Sequence, residues 1–193
     1  MPQFFRYPFI SVVLCLLLGA SAAQAQTATL LRDINLGTET TFSADPVGFT
    51  EHGGKVYFFA TSSPDLHGLW KTDGTDAGTV LVKSGLLGEK MLVSGGKLYF
   101  AASDEAAGRE LWKSDGTSSG TVRVKDINPG AGDGITSDVA TFDGALYFGA
   151  DDGINGIEPW KSDGTAAGTI LLRHINDNGD SSAERFTVSG GTL

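Results

Sequence analysis

The chain has 193 residues, with 14 Lys and Arg against 23 Asp and Glu, for a formal net charge of −9. Such an acidic chain is a poor candidate for binding nucleic acid or an anionic membrane surface, because both are bound through Lys and Arg. The 27 glycines are spread among apolar and aromatic residues, which is typical of a turn-rich β protein and not of a disordered one.

Residues 1–25 have the pattern of a secretory signal peptide. One positive charge, Arg6, precedes an apolar run from Phe9 to Leu18, and Ala23-Gln24-Ala25 offers a small-residue cleavage site. A membrane anchor is the less favoured interpretation, because it needs roughly 20 apolar residues. We therefore expect an exported protein, secreted or periplasmic, with no membrane span after cleavage. The single cysteine, Cys15, lies inside this segment, so disulfides are not expected to contribute.

Residues 26–193 are predicted to form one domain built around a segment that occurs three times, at 69–80, 110–124 and 158–170. Each copy contains Trp-Lys-Thr/Ser-Asp-Gly-Thr and then a Gly-Thr step. A Tyr precedes the Trp at the same spacing in every copy, whereas the stretch from Trp70 to Tyr99 is shorter than the stretch from Trp112 to Tyr147. The sequence therefore predicts a fixed structural block, with insertions confined to one connection per unit, which is often the binding face of a repeat protein.

Each unit is predicted to contain four short strands, a to d, because β-branched and aromatic runs alternate with Gly, Asp and Ser. The segment 30–35 matches the end of strand d but has no strand a, b or c before it. We interpret it as an orphan outer strand, of the kind that closes a ring by completing the last unit. The predicted units are repeat 1 at 45–84, repeat 2 at 85–128, repeat 3 at 129–176 and the start of repeat 4 at 177–193.

The repeated turn between strands c and d is expected to be structural. Its Asp should accept hydrogen bonds from nearby backbone N–H groups, and both of its glycines should adopt positive φ. The Trp is too large to stay exposed in every unit, so we expect it to pack between neighbouring units. The Lys that follows the Trp is expected to be a solvated partner of nearby acids. The predicted structural residues are Trp70, Asp73, Gly74, Gly78, Trp112, Asp115, Gly116, Gly120, Trp160, Asp163, Gly164 and Gly168.

Four-stranded units, whose tryptophans recur at positions 70, 112 and 160, predict an all-β, β-propeller-like fold of antiparallel blades. Propellers typically close with about 4 to 8 blades, whereas this chain has three complete repeats plus partial ones. We therefore expect an open or truncated propeller whose further blades belong to a longer chain. The alternatives are an open stack of small sheets and a propeller completed by other copies.

The Glu-Leu-Trp-x-x-Asp-Gly-Thr core, complete at Glu110–Thr117, resembles the ELWxxDGT repeat family of bacterial exported proteins. Gly68 replaces the Glu in the first copy, and Pro159 replaces the Leu in the third. The resemblance covers nearly all of the chain after the signal peptide. It implies a secreted, propeller-like tandem-repeat protein without a defined catalytic activity.

The sequence predicts no catalytic site and no cofactor, with calcium as the one metal to consider. The three histidines occupy non-equivalent places in the repeats, and neither a Ser-His-Asp motif nor a zinc-type cluster is present. Calcium prefers several hard oxygen ligands in flexible loops, and the connections from strand d to the next strand a are rich in Asp and Asn. Solvated turns are the favoured explanation of this composition, because Asp, Asn and Gly populate ordinary turns and neither EF-hand nor nonapeptide spacing occurs. The candidate calcium ligands are Asp126, Asp133, Asp177 and Asp180.

We expect a non-catalytic exported scaffold that presents variable loops to a surface protein or a glycan. An alternative is part of a secreted carbohydrate-active enzyme, whose catalytic residues would have to lie beyond Leu193. A third interpretation is a purely structural fragment. Fold alone does not separate these three functions.

Overall fold

A computed structural model describes residues 32–33, 43–63, 66–177 and 179–193, and this part of the chain contains twelve β-strands and no helix. The predicted signal peptide and most of the segment 30–35 lie outside the described residues. The strands are β1 (Val47–His52), β2 (Lys55–Ser63), β3 (Leu66–Thr72), β4 (Val80–Ser84), β5 (Leu87–Ser94), β6 (Lys97–Asp104), β7 (Ala107–Ser114), β8 (Val122–Lys125), β9 (Ala140–Phe142), β10 (Ala145–Asp151), β11 (Ile157–Ser162) and β12 (Ile170–Leu171).

The strands form three separate four-stranded sheets, each made from strands that are consecutive in the chain. Sheet 1 has the order β1-β2-β3-β4, sheet 2 the order β5-β6-β7-β8, and sheet 3 the order β9-β10-β11-β12. All neighbouring strands run antiparallel. These sheets confirm the prediction of an all-β chain built from four-stranded antiparallel units. Among the described residues there is also no helix of the length and apolar character that crossing a membrane requires.

The central hairpin has the same register in all three sheets. Phe58 lies opposite Trp70, Phe100 opposite Trp112, and Phe148 opposite Trp160. One residue along, a Tyr lies opposite the Lys that follows each Trp, as in the pair Tyr57 and Lys71. Because opposed residues share a face and successive residues alternate, every sheet has a face with Phe and Trp, here called the Trp face. The opposite face carries the Tyr and Lys and is called the Tyr face.

The Tyr face of each sheet packs against the Trp face of the next. One buried cluster joins Tyr57, Phe59 and Leu69 of sheet 1 to Phe100 and Trp112 of sheet 2. A second cluster joins sheet 2 to sheet 3 in the same way, with Tyr99 and Leu111 on one side and Phe148 and Trp160 on the other. The sheets therefore stack head to tail, and sheet 2 buries its Trp face against sheet 1 and its Tyr face against sheet 3.

The first strands of sheets 1 and 2 approach each other closely. The hydroxyl oxygen of Thr50 on β1 lies 3.4 Å from the backbone oxygen of Met91 on β5 and 3.1 Å from that of Gly48. Gly48 is left-handed, with φ of 71°, and a Cβ at this position would overlap the backbone oxygen of Glu89. Gly48 is therefore required both by its conformation and by the approach of the neighbouring sheet.

Candidate functional site

The repeated Asp-Gly-Thr turn is held by the same hydrogen bonds in each sheet. In sheet 2, Asp115 Oδ1 accepts the backbone N–H of Thr117 at 2.9 Å and its hydroxyl at 2.7 Å. The Thr117 hydroxyl oxygen in turn accepts the N–H of Gly120 at 3.0 Å. The corresponding bonds recur around Asp73 and Asp163. The hydrogen bond from the Thr hydroxyl lowers the pKa of all three Asp carboxyls, so these carboxylates stay ionised and act as turn acceptors.

A buried pair of hydroxyl groups closes the base of the same turn. In sheet 2 the hydroxyls of Ser114 and Thr121 lie 2.8 Å apart, and both side chains are fully buried. Thr121 donates its proton to the backbone oxygen of Thr117 at 2.6 Å, so Ser114 donates to Thr121. The Ser114 oxygen also accepts the N–H of Gly116 at 3.0 Å. Each turn is consequently rigid on both its solvent side and its buried side.

The two glycines of the turn are needed for different reasons. Gly116 has the predicted positive φ, 85°, and so do its counterparts Gly74 and Gly164, at 89° and 82°. The prediction of positive φ is wrong for Gly120 and its counterparts Gly78 and Gly168, none of which adopts it. A Cβ on any of these second glycines would overlap the Asp carboxylate of its own turn. The second glycine is therefore required by the close approach of the bonded Asp side chain.

Two of the three repeat lysines, Lys71 and Lys113, bind a backbone oxygen of the next sheet, which corrects the expectation that they are simply solvated; Lys113 also lies near an acid, Asp163. Lys71 Nζ donates to the backbone oxygen of Gly116, and Lys113 Nζ donates to that of Gly164, each at 2.8 Å. The Tyr57 hydroxyl lies against the same Gly116, where a Cβ would overlap it. The turns of sheets 2 and 3 thus belong to the joints between sheets as well as to their own hairpins.

The three tryptophans are nearly fully buried, with exposed fractions of 5% to 6%. Trp112 and Trp160 lie in the two inter-sheet clusters, and Trp70 packs with Phe58, Ala60 and Ala44. Lys125 of sheet 2 reaches across its joint: Nζ lies 5.3 Å from the centre of the Trp160 ring and donates to the backbone oxygen of Thr169 at 2.8 Å. The indoles of Trp112 and Trp160 are therefore packing elements of the two joints, as predicted, whereas Trp70 packs within its own sheet and against the adjoining Ala44.

A buried carboxylate fixes each of the two long connections, and the sequence analysis assigned it no role. Glu110 is fully buried on β7, and its two oxygens accept the N–H groups of Ile127 at 2.9 Å and Asn128 at 3.0 Å. Glu158 on β11 binds the two equivalent N–H groups after β12, at 3.1 and 3.2 Å. The first copy has Gly68 at this place. The signal that could have revealed the role is that Glu occurs in the two repeats whose following connection is long.

The two glutamates differ in their electrostatics. Burial raises the pKa of Glu110, and its two backbone hydrogen bonds only partly offset this effect. For Glu158, burial also acts to raise the pKa, but hydrogen bonds from the Ser181 hydroxyl and two backbone N–H groups outweigh it, and the net pKa is lowered. His174 assists, with Nε2 at 3.6 Å from the Glu158 carboxylate. The carboxylate is the stronger acceptor of the two N–H bonds, because charge-assisted hydrogen bonds are stronger than neutral ones, so protonation weakens the hold on the loop.

The four candidate calcium ligands have separate partners. Asp126 lies 3.7 Å from Arg123, Asp133 accepts the N–H of Arg109 at 2.7 Å, and Asp180 accepts the N–H of Ser182. Asp177 is exposed, with Oδ1 at 3.7 Å from the ring of His174. Within the described ranges, no three His, Cys, Asp or Glu side chains come close enough together to hold a metal ion. Calcium binding stays a prediction from loop composition.

A cleft of about 350 Å³ lies at the loop end of the joint between sheets 1 and 2. The equivalent hollow between sheets 2 and 3 has about 160 Å³. Neither the cleft nor the hollow was predicted from the sequence. The residues that line the larger cleft include Asp45, Phe59, Thr61, His67, Leu86, Glu89, Ser103 and Arg109.

The comparisons with known proteins leave the family open. No protein-family model matches the chain, and a search among curated proteins also finds no match.

Proposed function

We propose that the three sheets are consecutive blades of a β-propeller in an exported protein, as the ELWxxDGT resemblance implies. The head-to-tail stacking of the sheets supports this proposal, because a ring of identical blades needs the same joint at every step. The approach of β1 to β5 also supports it, since the first strands of propeller blades surround the central channel. An open stack would not need the first strands to converge.

One contact supports the interpretation of segment 30–35 as an outer strand. Arg32 corresponds in sequence to Lys125, the last residue of β8. Arg32 Nη1 donates to the backbone oxygen of Thr79 at 3.0 Å, and Lys125 Nζ donates to the equivalent oxygen of Thr169 at 2.8 Å. Arg32 thus takes the position relative to sheet 1 that the end of β8 takes relative to sheet 3. Such a strand would complete a blade whose other strands come from elsewhere in the protein.

We further propose that the module is a non-catalytic scaffold that presents its connecting loops to a surface protein or a glycan. The observation that carries this proposal is the division of each sheet into a constant end and a variable end. The Asp-Gly-Thr turns at one end repeat their hydrogen bonds from sheet to sheet. The connections at the other end differ in length and sequence, and the two long ones are fixed by a buried glutamate. A loop that is already fixed loses less conformational entropy when it binds a partner than a mobile loop does.

The proposal is tested by measuring retention on a broad glycan array and on intact bacterial cells. In a loop variant, residues 129–133 are replaced by a Gly-Ser segment of equal length. In a matched control, Ser118→Ala is made at the constant end of the same sheet, where this side chain is exposed. We expect the loop variant to lose at least tenfold in retention and the control to match the wild type. Absence of wild-type retention on both surfaces, or equal retention of the two variants, would contradict the proposal.

A further inference from the structure

We propose that the cleft between sheets 1 and 2 binds a neutral, hydroxyl-rich ligand, such as one sugar unit of a glycan. This inference rests on the proposed binding function and assigns it a place in the fold. The volume of about 350 Å³ lies at the lower end of the range of ligand pockets, roughly 300 to 1,000 Å³. The cleft therefore has room for a small ligand or for the end of a larger one.

The first repeat departs from the other two at one position of strand c, and it is also the repeat that is followed by the short connection beside the cleft. Sheet 1 has Gly68 where sheet 2 has Glu110. Gly68 pairs with Ser84 on β4, and a Cβ at Gly68 would overlap the backbone oxygen of Lys83. A glutamate cannot occupy this place while β4 keeps its path. The connection after β4 therefore lacks the buried carboxylate that holds each of the two long connections.

The length of the connection then decides whether the space is filled. Only residues 85–86 separate β4 from β5, whereas residues 126–139 separate β8 from β9. In the longer connection, Ile127 and Ile135 are buried in the joint between sheets 2 and 3. In the shorter one, Leu86 is the buried residue. The space that the long loop fills between sheets 2 and 3 is left open between sheets 1 and 2.

The groups lining the cleft suit hydroxyls better than an anion. Asp45 and Glu89 contribute two carboxylates and Arg109 one guanidinium, so the carboxylates outnumber the guanidinium in the lining. Phosphate, sulfate or a carboxylated sugar would be repelled by the two acids. A hydroxyl group can donate to the carboxylates and accept from the guanidinium. Buried Phe59 supplies the apolar wall that sugar sites require in addition to polar groups.

Two of the polar side chains in the lining are already held in place. His67 Nδ1 and the Thr61 hydroxyl lie 2.9 Å apart and share a hydrogen bond. Arg109 Nη1 donates to the backbone oxygen of Ile135 at 3.3 Å, which leaves the other guanidinium N–H groups for a ligand. Groups that are fixed before binding lose little side-chain entropy when the ligand arrives.

The test is an NMR titration of the whole chain with maltose, lactose and chitobiose, and with glucuronic acid and sulfate as anionic probes. We expect saturable shifts at the amides of Thr61, Gly88 and Ser103 with at least one neutral disaccharide, and none with the anions. The variants Glu89→Gln and Arg109→Gln should each weaken this binding at least threefold. Glu105→Gln is the matched control, because Glu105 is exposed and lies outside the cleft lining.

Each result separates the cleft from the wider binding function. No shifts with any neutral disaccharide, shifts confined to residues outside the cleft, or a preference for the anions would overturn the cleft assignment. If Glu89→Gln leaves glycan-array retention unchanged while the loop variant abolishes it, binding in the cleft is contradicted and the scaffold function is supported. If the cleft binds a disaccharide but the wild type is retained on neither array nor cells, the scaffold function falls instead.

Discussion

Trp112 provides the most direct test of how the sheets hold together. Only 5% of it is exposed, and it packs with Tyr57, Phe59 and Leu69 of the neighbouring sheet. Truncating a buried Trp to Ala costs about 3 to 5 kcal/mol, since the apolar contacts are lost and a cavity remains. Domains of this kind have a total free energy of unfolding of about 5 to 15 kcal/mol. Trp112→Ala should therefore remove a large part of the stability, mostly from the joint between sheets 1 and 2.

The measurement is the free energy of unfolding from urea titrations followed by far-UV circular dichroism. At about 2 to 4 °C per kcal/mol for a chain of this size, a loss of about 4 kcal/mol lowers Tm by about 8 to 16 °C. Ile154→Ala is the control: Ile154 is 87% exposed, and a surface change of this kind should stay within about 0.5 kcal/mol. A loss below about 1 kcal/mol for Trp112→Ala, well under the cost of truncating a packed Trp, would refute the claim that the Trp face is the main source of stability in the joint.

Four further predictions concern the buried Glu110, the joint between sheets 2 and 3, and the turn that contains Asp115. Glu110→Gln replaces one acceptor oxygen by an N–H donor and should accelerate hydrogen exchange at the two loop amides that Glu110 binds, measured by NMR, whereas Glu105→Gln should not. Lys113→Met removes the 2.8 Å bond to sheet 3 and keeps the apolar stem, so the free energy of unfolding should fall by about 1 kcal/mol in urea titrations. Gly120→Ala should displace the Asp115 carboxylate and break its bonds to Thr117, which would appear as loss of the low-field Thr hydroxyl or amide shift in NMR spectra. Because those bonds lower the pKa of Asp115, the stability they add is present above the usual Asp pKa and is lost as the pH falls through the lower folded value. Acid titration of unfolding should accordingly be less steep for Asp115→Asn than for the wild type, and an unchanged slope would contradict this assignment.

The sheets could be predicted because each one is formed by strands that are consecutive in the sequence. The spacing from Tyr57 to Trp70 is repeated from Tyr99 to Trp112; it fixes the central hairpin, and alternation along each strand then separates the faces. The wrong prediction for the second glycine has a physical reason. Positive φ and close approach both select glycine, and a sequence pattern does not distinguish a backbone requirement from the presence of the Asp115 carboxylate beside Gly120.

The lysine contacts and the cleft could not be predicted, because they depend on residues of another repeat. The acceptor of Lys71 is 45 positions away, on the turn of the next sheet. The cleft depends on the absence of a loop, and this absence shows in the sequence only as a difference in spacing. Gly68 stood out as a departure from the motif, but its meaning required the path of β4 and the backbone oxygen of Lys83.

The position shared by Gly68, Glu110 and Glu158 connects the frame of the protein to its variable end. A glutamate at this place provides two acceptors, which a long connection can satisfy with two successive N–H groups. A glycine allows the last strand to pass close to strand c, and in this repeat the connection that follows is short and a cleft lies beside it. Both outcomes leave the Trp and Tyr faces unchanged, because the position lies beyond the Phe–Trp pair of the hairpin. Surface recognition can therefore vary from joint to joint while every joint keeps the same packing, which is the property that a repeat scaffold for binding requires.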